Sequence, residues 1–440
     1  MTKMPSPERR DSLYRHHVAT LTEQTERLLA RAGYDRLLIH SGRSHPRFQD
    51  DYHPPFRAHP HFVAWLPLPR NADCLLEIRP GSRPRLWLVL PDDFWHAPPE
   101  APASWWADHY DVEIVSGPDA WQSALEAPTV TALIGDPIDF GTLGGHADLN
   151  PTGLLGWLDE MRTVKTDWQI ECIRTANRIA MRGHEAAAGA FESGASELEI
   201  HLAYLKAAAH EPNTLPYNSI VGLNEHCAIL HYQYRAPTPP RQSKSFLIDA
   251  GADCYGYAAD ITRTYSAEDG LFSSLVQEVD SLQQRLAGRM QAGRSYVDLH
   301  REAHRGVAEI LRESGICDMA LDAMLEASVT STFLPHGLGH FLGVQVHDVA
   351  GHVAPDGSPL PPPAEYPMLR LTRELESGNV VTVEPGIYFI PSLLADLKKK
   401  PISGRIDWRA IDQLMPFGGI RIEDDVVVGS ETSDNLTRSP

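Results

Sequence analysis

The chain has 440 residues, of which 42% are hydrophobic and 22% charged, a balance typical of globular rather than disordered proteins. This length exceeds what one hydrophobic core usually supports, so two domains are expected. The formal net charge of −19, without a long block of Lys or Arg, argues against nucleic-acid binding.

Cellular location can be inferred only from what the sequence lacks. No apolar run approaches the roughly 18 residues of a membrane span, and the first residues carry no apolar signal core. The five cysteines are scattered and form no CxxC pair. We therefore expect a cytoplasmic protein with no membrane partner and no disulfide framework.

The N-terminal part alternates helix and strand signals. An opening helix is predicted over 12–32 and a strand over 35–42, followed by a Pro/His-rich stretch, several short strands and another buried strand over 130–136. The pattern predicts a small α/β domain over residues 1–160.

The remainder, residues 161–440, predicts an α+β domain in which helices back a curved, mostly antiparallel sheet. Thr166 is the expected N-cap of its first helix. The polar tail from residue 429 is expected to fray. Further helices are predicted over 196–210, 272–292, 296–314 and 318–329, and strands over 227–233, 245–252, 257–265, 342–347, 379–389 and 419–428.

Two aspartates interrupt the strand-like segment "SFLIDAGADCYGYAADITRTY". Asp249 and Asp260 lie 11 residues apart on either side of a turn, so a hairpin would make them neighbours. Aspartate is a poor strand former and costly to bury alone. On their own, the two residues could equally be surface aspartates at strand ends.

Further apolar strands carry polar groups of the same kind. "VVTVEPGIYF" holds Glu384, and "GGIRIEDDVVV" holds Glu423 with Arg421 on the same face. "PHGLGHFLGVQVHD" supplies histidines. Several unpaired buried carboxylates are energetically implausible, whereas two divalent cations between them would remove the cost. One imidazole, four carboxylates and no thiolate favour Mn²⁺ or Co²⁺ over a structural Zn²⁺.

These motifs, in this order, resemble the pita-bread metallopeptidases, the family of methionine aminopeptidase, aminopeptidase P and prolidase. The resemblance covers about 161–430. "HSGRSHPRFQDDYHPPF" and "PDDFWH" in the N-terminal part resemble the bacterial Xaa-Pro dipeptidase (prolidase) group, which includes organophosphorus acid anhydrolases. The resemblance implies a pita-bread catalytic domain and a homodimer. The metal ligands it implies are Asp249, Asp260, His340, Glu384 and Glu423.

The same resemblance implies roles for residues outside the ligand set. His336 and His340 have the spacing of a zincin helix, but "HGLGH" lacks the glutamate. The resemblance implies that His336 either supports the metal ligands or faces the substrate. Arg370 is expected to bind a substrate carboxylate, with Arg373 as competitor. The implied catalytic residues are His347, Glu384 and His336, and the implied substrate-binding residues are Tyr217, His231, Arg370, Arg421, Asp51 and Trp95.

The implied activity is hydrolysis of Xaa-Pro dipeptides, with a hydroxide bridging two metal ions attacking the carbonyl before proline. Hydrolysis of organophosphorus triesters is a further activity of the group. An Xaa-Pro aminopeptidase acting on longer peptides is the alternative enzyme. A non-catalytic binding protein on the same fold is disfavoured, because all five ligand positions are present.

Overall fold

The structure is a computed structural model that describes residues 4–91, 94, 102–117, 120–121, 129–137 and 147–438. The chain divides into two compact units, one extending to Cys172 and the other beginning at Ile173. The predicted division after residue 160 lies earlier in the chain, and those domain bounds stay a prediction.

The first unit is built from short strands and helices. Its longest helix starts where Ser6 accepts a hydrogen bond from the Arg9 amide, and it ends at Gly33, which has a left-handed φ of 77°. The elements of this unit are α1 (Pro7–Ala32), β1 (Arg36–His40), α2 (Pro60–Val63), β2 (Leu75–Ile78), β3 (Arg85–Val89), α3 (Ser104–Ala107), β4 (Asp111–Val115), β5 (Thr131–Ile134), β6 (Asp148–Leu149) and α4 (Thr152–Met161).

The six strands form one mixed sheet in the order β4-β3-β2-β1-β5-β6. Strand β2 is antiparallel to both of its neighbours, whereas the outer pairs β3–β4, β1–β5 and β5–β6 are parallel. Inside the sheet, Arg36 Nη1 bonds Glu77 Oε1 at 3.0 Å, which neutralises two buried charges. The sequence correctly predicted an α/β arrangement here.

The second unit has four small sheets, and each pairing between its strands is antiparallel. Its elements are α5 (Asp167–Glu192, beginning in the first unit), α6 (Glu197–Ala208), β7 (Ile220–Leu223), β8 (Ser245–Asp249), β9 (Asp253–Cys254), β10 (Tyr257–Ala258), β11 (Thr262–Ser266), α7 (Leu271–Ala287), α8 (Tyr296–Glu313), α9 (Leu321–Glu326), α10 (Thr330–Phe333), β12 (Val380–Val383), β13 (Gly386–Tyr388), α11 (Pro391–Lys398), α12 (Trp408–Leu414), β14 (Gly419–Arg421), β15 (Asp424–Val427) and β16 (Asp434–Asn435).

The sheets are ordered β11-β8-β7, β12-β15-β16, β13-β14 and β10-β9. A bridge between Thr262 and Glu423 joins the first of these to the segment between β14 and β15. Helices α7 and α8 bury apolar faces in a core shared with β12, β14 and β15. This core backs the strands whose ends carry the polar residues.

Two strands predicted for the second unit are wrong. The segment 227–233 lies in and after a 3-10 turn (Asn224–Ala228), because Asn224 adopts a left-handed φ of 58° and ends the true strand β7. The segment 342–347 is a loop, closed where the Asp348 amide donates to the Phe341 carbonyl at 2.9 Å. Alternating apolar residues suggested a strand at both places.

The expected fraying of the tail is also wrong over its described part. Strand β16 pairs with β15, and Leu436 and Thr437 are buried. Arg438 binds Asp424 at 2.5 Å and Asp280 at 2.6 Å. Polar composition misled the prediction, since these polar groups find partners inside the fold.

Candidate metal centre

The acidic residues lie where strands are interrupted. Asp260 falls between β10 and β11, Glu384 between β12 and β13, and Glu423 between β14 and β15. Their amides bond outside the regular ladders: Asp260 N to Asp425 Oδ2 at 3.0 Å, Glu384 N to the Leu338 carbonyl at 2.8 Å and Glu423 N to the Thr262 carbonyl at 3.0 Å. Each of the three acidic residues therefore lies in a gap between strands, and its backbone amide still has a hydrogen-bond partner.

Asp260, His340 and Glu423 converge most closely. One potential ligand atom from each lies within 4.8 Å of the others, and all three residues are buried. His340 Nδ1 is 2.9 Å from the Phe341 carbonyl, to which it donates, so in the neutral ring Nε2 carries the lone pair. That Nε2 lies 3.5 Å from Asp260 Oδ2, the arrangement of a metal-ligating imidazole with its other nitrogen fixed.

Glu384 flanks this group. Its Oε1 lies 3.8 Å from His340 Nε2, and its Oε2 lies 3.6 Å from His336 Nδ1. The side chain keeps 17% of its surface exposed, so Glu384 faces both the buried group and solvent.

Asp249 is close enough to Asp260 for the two charges to interact, as the hairpin prediction implied. In the sheet it pairs with Thr262 and Ile220 and is not directly opposite Asp260, which lies outside β11. Its Oδ2 accepts a hydrogen bond from Arg421 Nη2 at 2.6 Å, while its buried Oδ1 has no partner among the described residues. A buried carboxylate oxygen without a partner fits a cation site.

Burial and neighbouring charges shift the pKa values of these carboxyl groups. Burial, with the neighbouring Asp260 and Glu384 charges, raises the pKa of Glu423 well above its usual value. Burial likewise raises the pKa of Glu384 to about 7 and raises the pKa of Asp249. In Asp260, burial is outweighed by contact with His340, which lowers the pKa. One arginine does not balance these anions, whereas divalent cations would.

Arg421 is the cation inside this cluster. Besides Asp249, it donates to Thr262 Oγ1 at 3.1 Å and to the Tyr388 hydroxyl at 2.9 Å. Its Nε lies 4.0 Å from Glu423 Oε2, so the predicted common face of the two residues is confirmed. The guanidinium is buried and engaged with carboxylate and hydroxyl groups of the cluster.

Tyr217 and His336 line the same region. The Tyr217 hydroxyl donates to Asp260 Oδ1 at 2.6 Å. His336 donates from Nδ1 to the Gly337 carbonyl at 2.7 Å and accepts from the Tyr388 hydroxyl at Nε2 across 2.8 Å. Burial, with the Arg421 charge, lowers the pKa of His336 to about 3, so the ring is neutral.

The predicted catalytic residue His347 and the predicted substrate-binding residues His231 and Arg370 lie at the surface. His347 stacks edge-on against His340, with ring centroids 4.4 Å apart. Desolvation and the charges of His340 and Arg370 lower the pKa of His347 to about 4. His231 and Arg370 are exposed, and both act electrostatically on His347. Arg370 makes no ion pair within the described part of the chain.

Asp51 is exposed in the first unit, and Trp95 lies outside the described residues. Arg373 is 2% exposed and bonds Glu376 at 3.0 Å. It is therefore not available as an exposed carboxylate clamp.

Sequence reasoning missed Thr262 and Tyr388. Thr262 donates to Glu423 Oε2 at 2.6 Å, and Tyr388 connects Arg421 with His336. A signal was present, because Thr262 follows Asp260 by two positions and Tyr388 follows Glu384 by four. Even spacing places residues on one face of an extended chain.

Residues 171–430 match the family described as Metallopeptidase family M24, and residues 12–159 match the Xaa-Pro dipeptidase N-terminal domain. The chain belongs to metallopeptidase family M24. Membership of a metallopeptidase family implies divalent metal at the centre, and the buried carboxylates with the orphaned Asp249 Oδ1 fit that expectation. Within the described residues of this M24 metallopeptidase, no helix has the length and apolarity that a membrane crossing requires.

Relatives of this M24 metallopeptidase span almost the whole chain. A protein of Xanthomonas axonopodis pv. citri named Xaa-Pro dipeptidase is 44% identical over 438 residues, covering 99% of both chains. One of the same name from Pseudoalteromonas atlantica is 45% identical over 432 residues, covering 97% of this chain and 98% of the relative.

Solved structures support the fold. Zinc-substituted Escherichia coli aminopeptidase P in complex with product superposes with a TM-score of 0.74 at 22% identity, covering 98% of this chain and 95% of that one. The predicted pita-bread fold with a smaller N-terminal α/β domain is confirmed.

Proposed function

We propose that this chain hydrolyses Xaa-Pro dipeptides with two divalent cations bound by Asp249, Asp260, His340, Glu384 and Glu423. The observation that carries the proposal is the buried convergence of Asp260, His340 and Glu423 within 4.8 Å. The names of the relatives, which cover nearly the full chain, support the substrate class.

The donor set favours hard or borderline cations, with Mn²⁺ as the first choice and Co²⁺ as the second. When bound, such a pair would acidify water and polarise the scissile carbonyl. The protein residues provide the geometry. Arg421 orients Asp249, the Tyr217 hydroxyl orients Asp260, and Thr262 orients Glu423.

The remaining roles follow from position. Glu384 faces both the buried ligands and solvent, so it can carry a proton toward the leaving proline nitrogen. His347 lies beside His340, where it can donate to the oxyanion that develops on the carbonyl, and His336 lies beside Glu384, the proposed proton carrier.

Arg370 supplies the selectivity for dipeptides. Its exposed guanidinium has no ion-pair partner among the described residues and lies close enough to His347 to depress its pKa. A bidentate guanidinium suits the free carboxylate that follows proline in a dipeptide. His231, which also acts on His347, lies at the same rim.

The test is hydrolysis of Ala-Pro and Ala-Pro-Ala by the full chain, metal-free and then loaded with Mn²⁺, Co²⁺ or Zn²⁺. We expect metal-dependent release of proline from Ala-Pro and at least about a hundredfold lower kcat/KM for Ala-Pro-Ala, since the tripeptide leaves the arginine unpaired. Equal cleavage of both peptides would favour the aminopeptidase alternative. No cleavage with any metal would contradict a peptidase.

Three finer parts of the proposal have their own tests: the homodimer and the triesterase activity come from the resemblance, and the location comes from the scattered cysteines. We infer a homodimer in which Asp51 and Trp95 reach a neighbouring subunit's site, which sedimentation and Asp51→Ala kinetics would test. We infer a cytoplasmic location, testable by fractionation. Hydrolysis of organophosphorus triesters can be measured with the same metal-loaded protein.

A further inference from the structure

The backbone around Arg370 is packed between two glycines. Leu369 and Leu371 are 1% and 0% exposed, whereas Arg370 between them is exposed, the alternation of an extended segment. A Cβ at Gly337 would lie 3.0 Å from Leu369 Cα, and a Cβ at Gly351 would lie 2.3 Å from the Arg370 carbonyl oxygen. The segment therefore approaches Gly351 more closely than a side chain would allow, and it would also be tight against a side chain at Gly337.

Hydrogen bonds hold one of these contacts in register. His352 donates from Nε2 to the Leu369 carbonyl at 2.8 Å, and the Thr372 amide donates to the Gly351 carbonyl at 3.0 Å. Gly351 and His352 thus lie alongside residues 369–372. We call these two paired segments the clasp.

We infer that Gly351 and His352 are positioning residues that set the selectivity for a free substrate carboxylate by fixing the backbone of Arg370. The inference rests on the proposed function, in which Arg370 binds that carboxylate. A bidentate guanidinium–carboxylate contact demands a defined direction of approach, so a small backbone displacement weakens it.

Replacing Gly351 with alanine should displace Arg370 without straining the backbone at residue 351. Its φ is not in the left-handed region, so alanine adds a methyl group without backbone strain. The atom that this methyl group meets is a carbonyl oxygen of the main chain, which cannot rotate away as a flexible side chain would. The two segments of the clasp must then separate, and Arg370 moves with its own segment.

The experiment uses the Mn²⁺-loaded full chain with Ala-Pro and its C-terminal amide, Ala-Pro-NH₂, which differ in the carboxylate charge. For Gly351→Ala we expect the kcat/KM ratio of the two substrates to fall at least about tenfold, through a higher KM for Ala-Pro. The kcat/KM for Ala-Pro-NH₂ and the amount of bound metal should both stay unchanged. Gly404→Ala is the matched control, because a Cβ there meets nothing within 4 Å and the residue is exposed.

A milder pair of variants tests the same clasp. His352 is exposed, so replacing it should not unfold the protein. His352→Leu removes the hydrogen bond to Leu369 and should lower the ratio about threefold or more, whereas His352→Gln can donate in its place and should restore it. If Gly351→Ala does not fold, the comparison of His352→Leu with His352→Gln decides whether the clasp positions Arg370.

The possible failures are distinguishable. A wild-type enzyme that cleaves both substrates equally would contradict the dipeptidase function itself. A ratio that collapses in Arg370→Ala but stays at the wild-type value in folded Gly351→Ala and in His352→Leu would overturn the positioning role alone. A ratio unchanged in Arg370→Ala would overturn it as well, since the arginine would then not be the clamp.

Discussion

The Tyr388 hydroxyl donates a hydrogen bond to His336 Nε2 across 2.8 Å. The same oxygen accepts a hydrogen bond from Arg421 Nη1 at 2.9 Å. His336 is thereby held in the tautomer whose Nδ1 carries the proton, and this nitrogen faces Glu384 Oε2 at 3.6 Å. One phenol thus connects the cation that orients Asp249 to an imidazole at the substrate side.

Tyr388→Phe breaks this connection while keeping the ring. We expect kcat for Ala-Pro to fall about 10–100-fold with bound metal retained, because the His336 ring loses its contact with Arg421 and its tautomer is then held by the Gly337 carbonyl alone. Steady-state kinetics with metal analysis checks this. Tyr234→Phe, at a tyrosine that is 78% exposed, is the control and should behave as wild type. Full activity of Tyr388→Phe would show that the tautomer is irrelevant.

Asp260→Asn tests the metal centre. A neutral amide cannot replace a carboxylate that accepts from Tyr217 and faces His340, so we expect loss of bound metal and of activity. Metal content is measured by mass spectrometry after dialysis against limiting Mn²⁺. Asp322→Asn, at a side chain that is 77% exposed, should retain wild-type metal. Two metal ions per chain with full turnover in Asp260→Asn would refute the ligand assignment.

Arg370→Ala tests substrate length. The preference for Ala-Pro over Ala-Pro-Ala should shrink from about a hundredfold toward equality, mainly because dipeptide cleavage falls. The exposed Arg409→Ala is the control and should keep the preference. A preference that survives in Arg370→Ala would place the carboxylate clamp elsewhere, although not at Arg373, which is buried against Glu376.

His184 contributes to the acid sensitivity of folding. Burial lowers its pKa to about 3 in the folded protein, whereas the unfolded chain titrates near 6.5. Below pH 6.5 the unfolded state therefore binds the extra proton, and stability falls with pH until about pH 3. At pH 5 the loss from this residue is at most about 2 kcal/mol.

The measurement is urea unfolding of metal-free protein at pH 7 and pH 5. His184→Gln cannot take up that proton in the unfolded state, so its stability should drop less between the two pH values than that of wild type. The exposed His16→Gln should show the wild-type drop. Equal drops in wild type and His184→Gln would contradict the assigned pKa.

Glu197 organises the loop that carries His231. Its two oxygens accept hydrogen bonds from the Leu223 amide, His226 Nδ1, the Tyr232 hydroxyl and the Ala236 amide, all at 2.7–2.9 Å. Glu197→Gln turns a donor group toward some of these donors and should lower the free energy of unfolding by about 2–4 kcal/mol. Glu199→Gln, where either residue completes the helix cap, should change it by less than about 0.5 kcal/mol. Equal free energies of unfolding for wild type and Glu197→Gln would show that the four hydrogen bonds are dispensable.

Much of this architecture could be predicted from local patterns in the chain. Helices such as Tyr296–Glu313 carry both a cap and an apolar stripe, and both signals lie within a few residues of each other. The carboxylates at 249, 260, 384 and 423 were recognisable because each interrupts an apolar segment, where a charge is costly without a partner.

Only the tertiary structure decided how those residues meet. The sequence pointed to Asp249 and Asp260 as neighbours in a hairpin, but it did not show that Asp249 lies opposite Thr262 and is bonded to Arg421, which is 172 positions away. Register and long-range pairing depend on which strand ends the fold brings together, and no local periodicity encodes that. Local chemistry thus indicated which carboxylates need a partner when buried, whereas the packing of distant strands determined which of them lie close together.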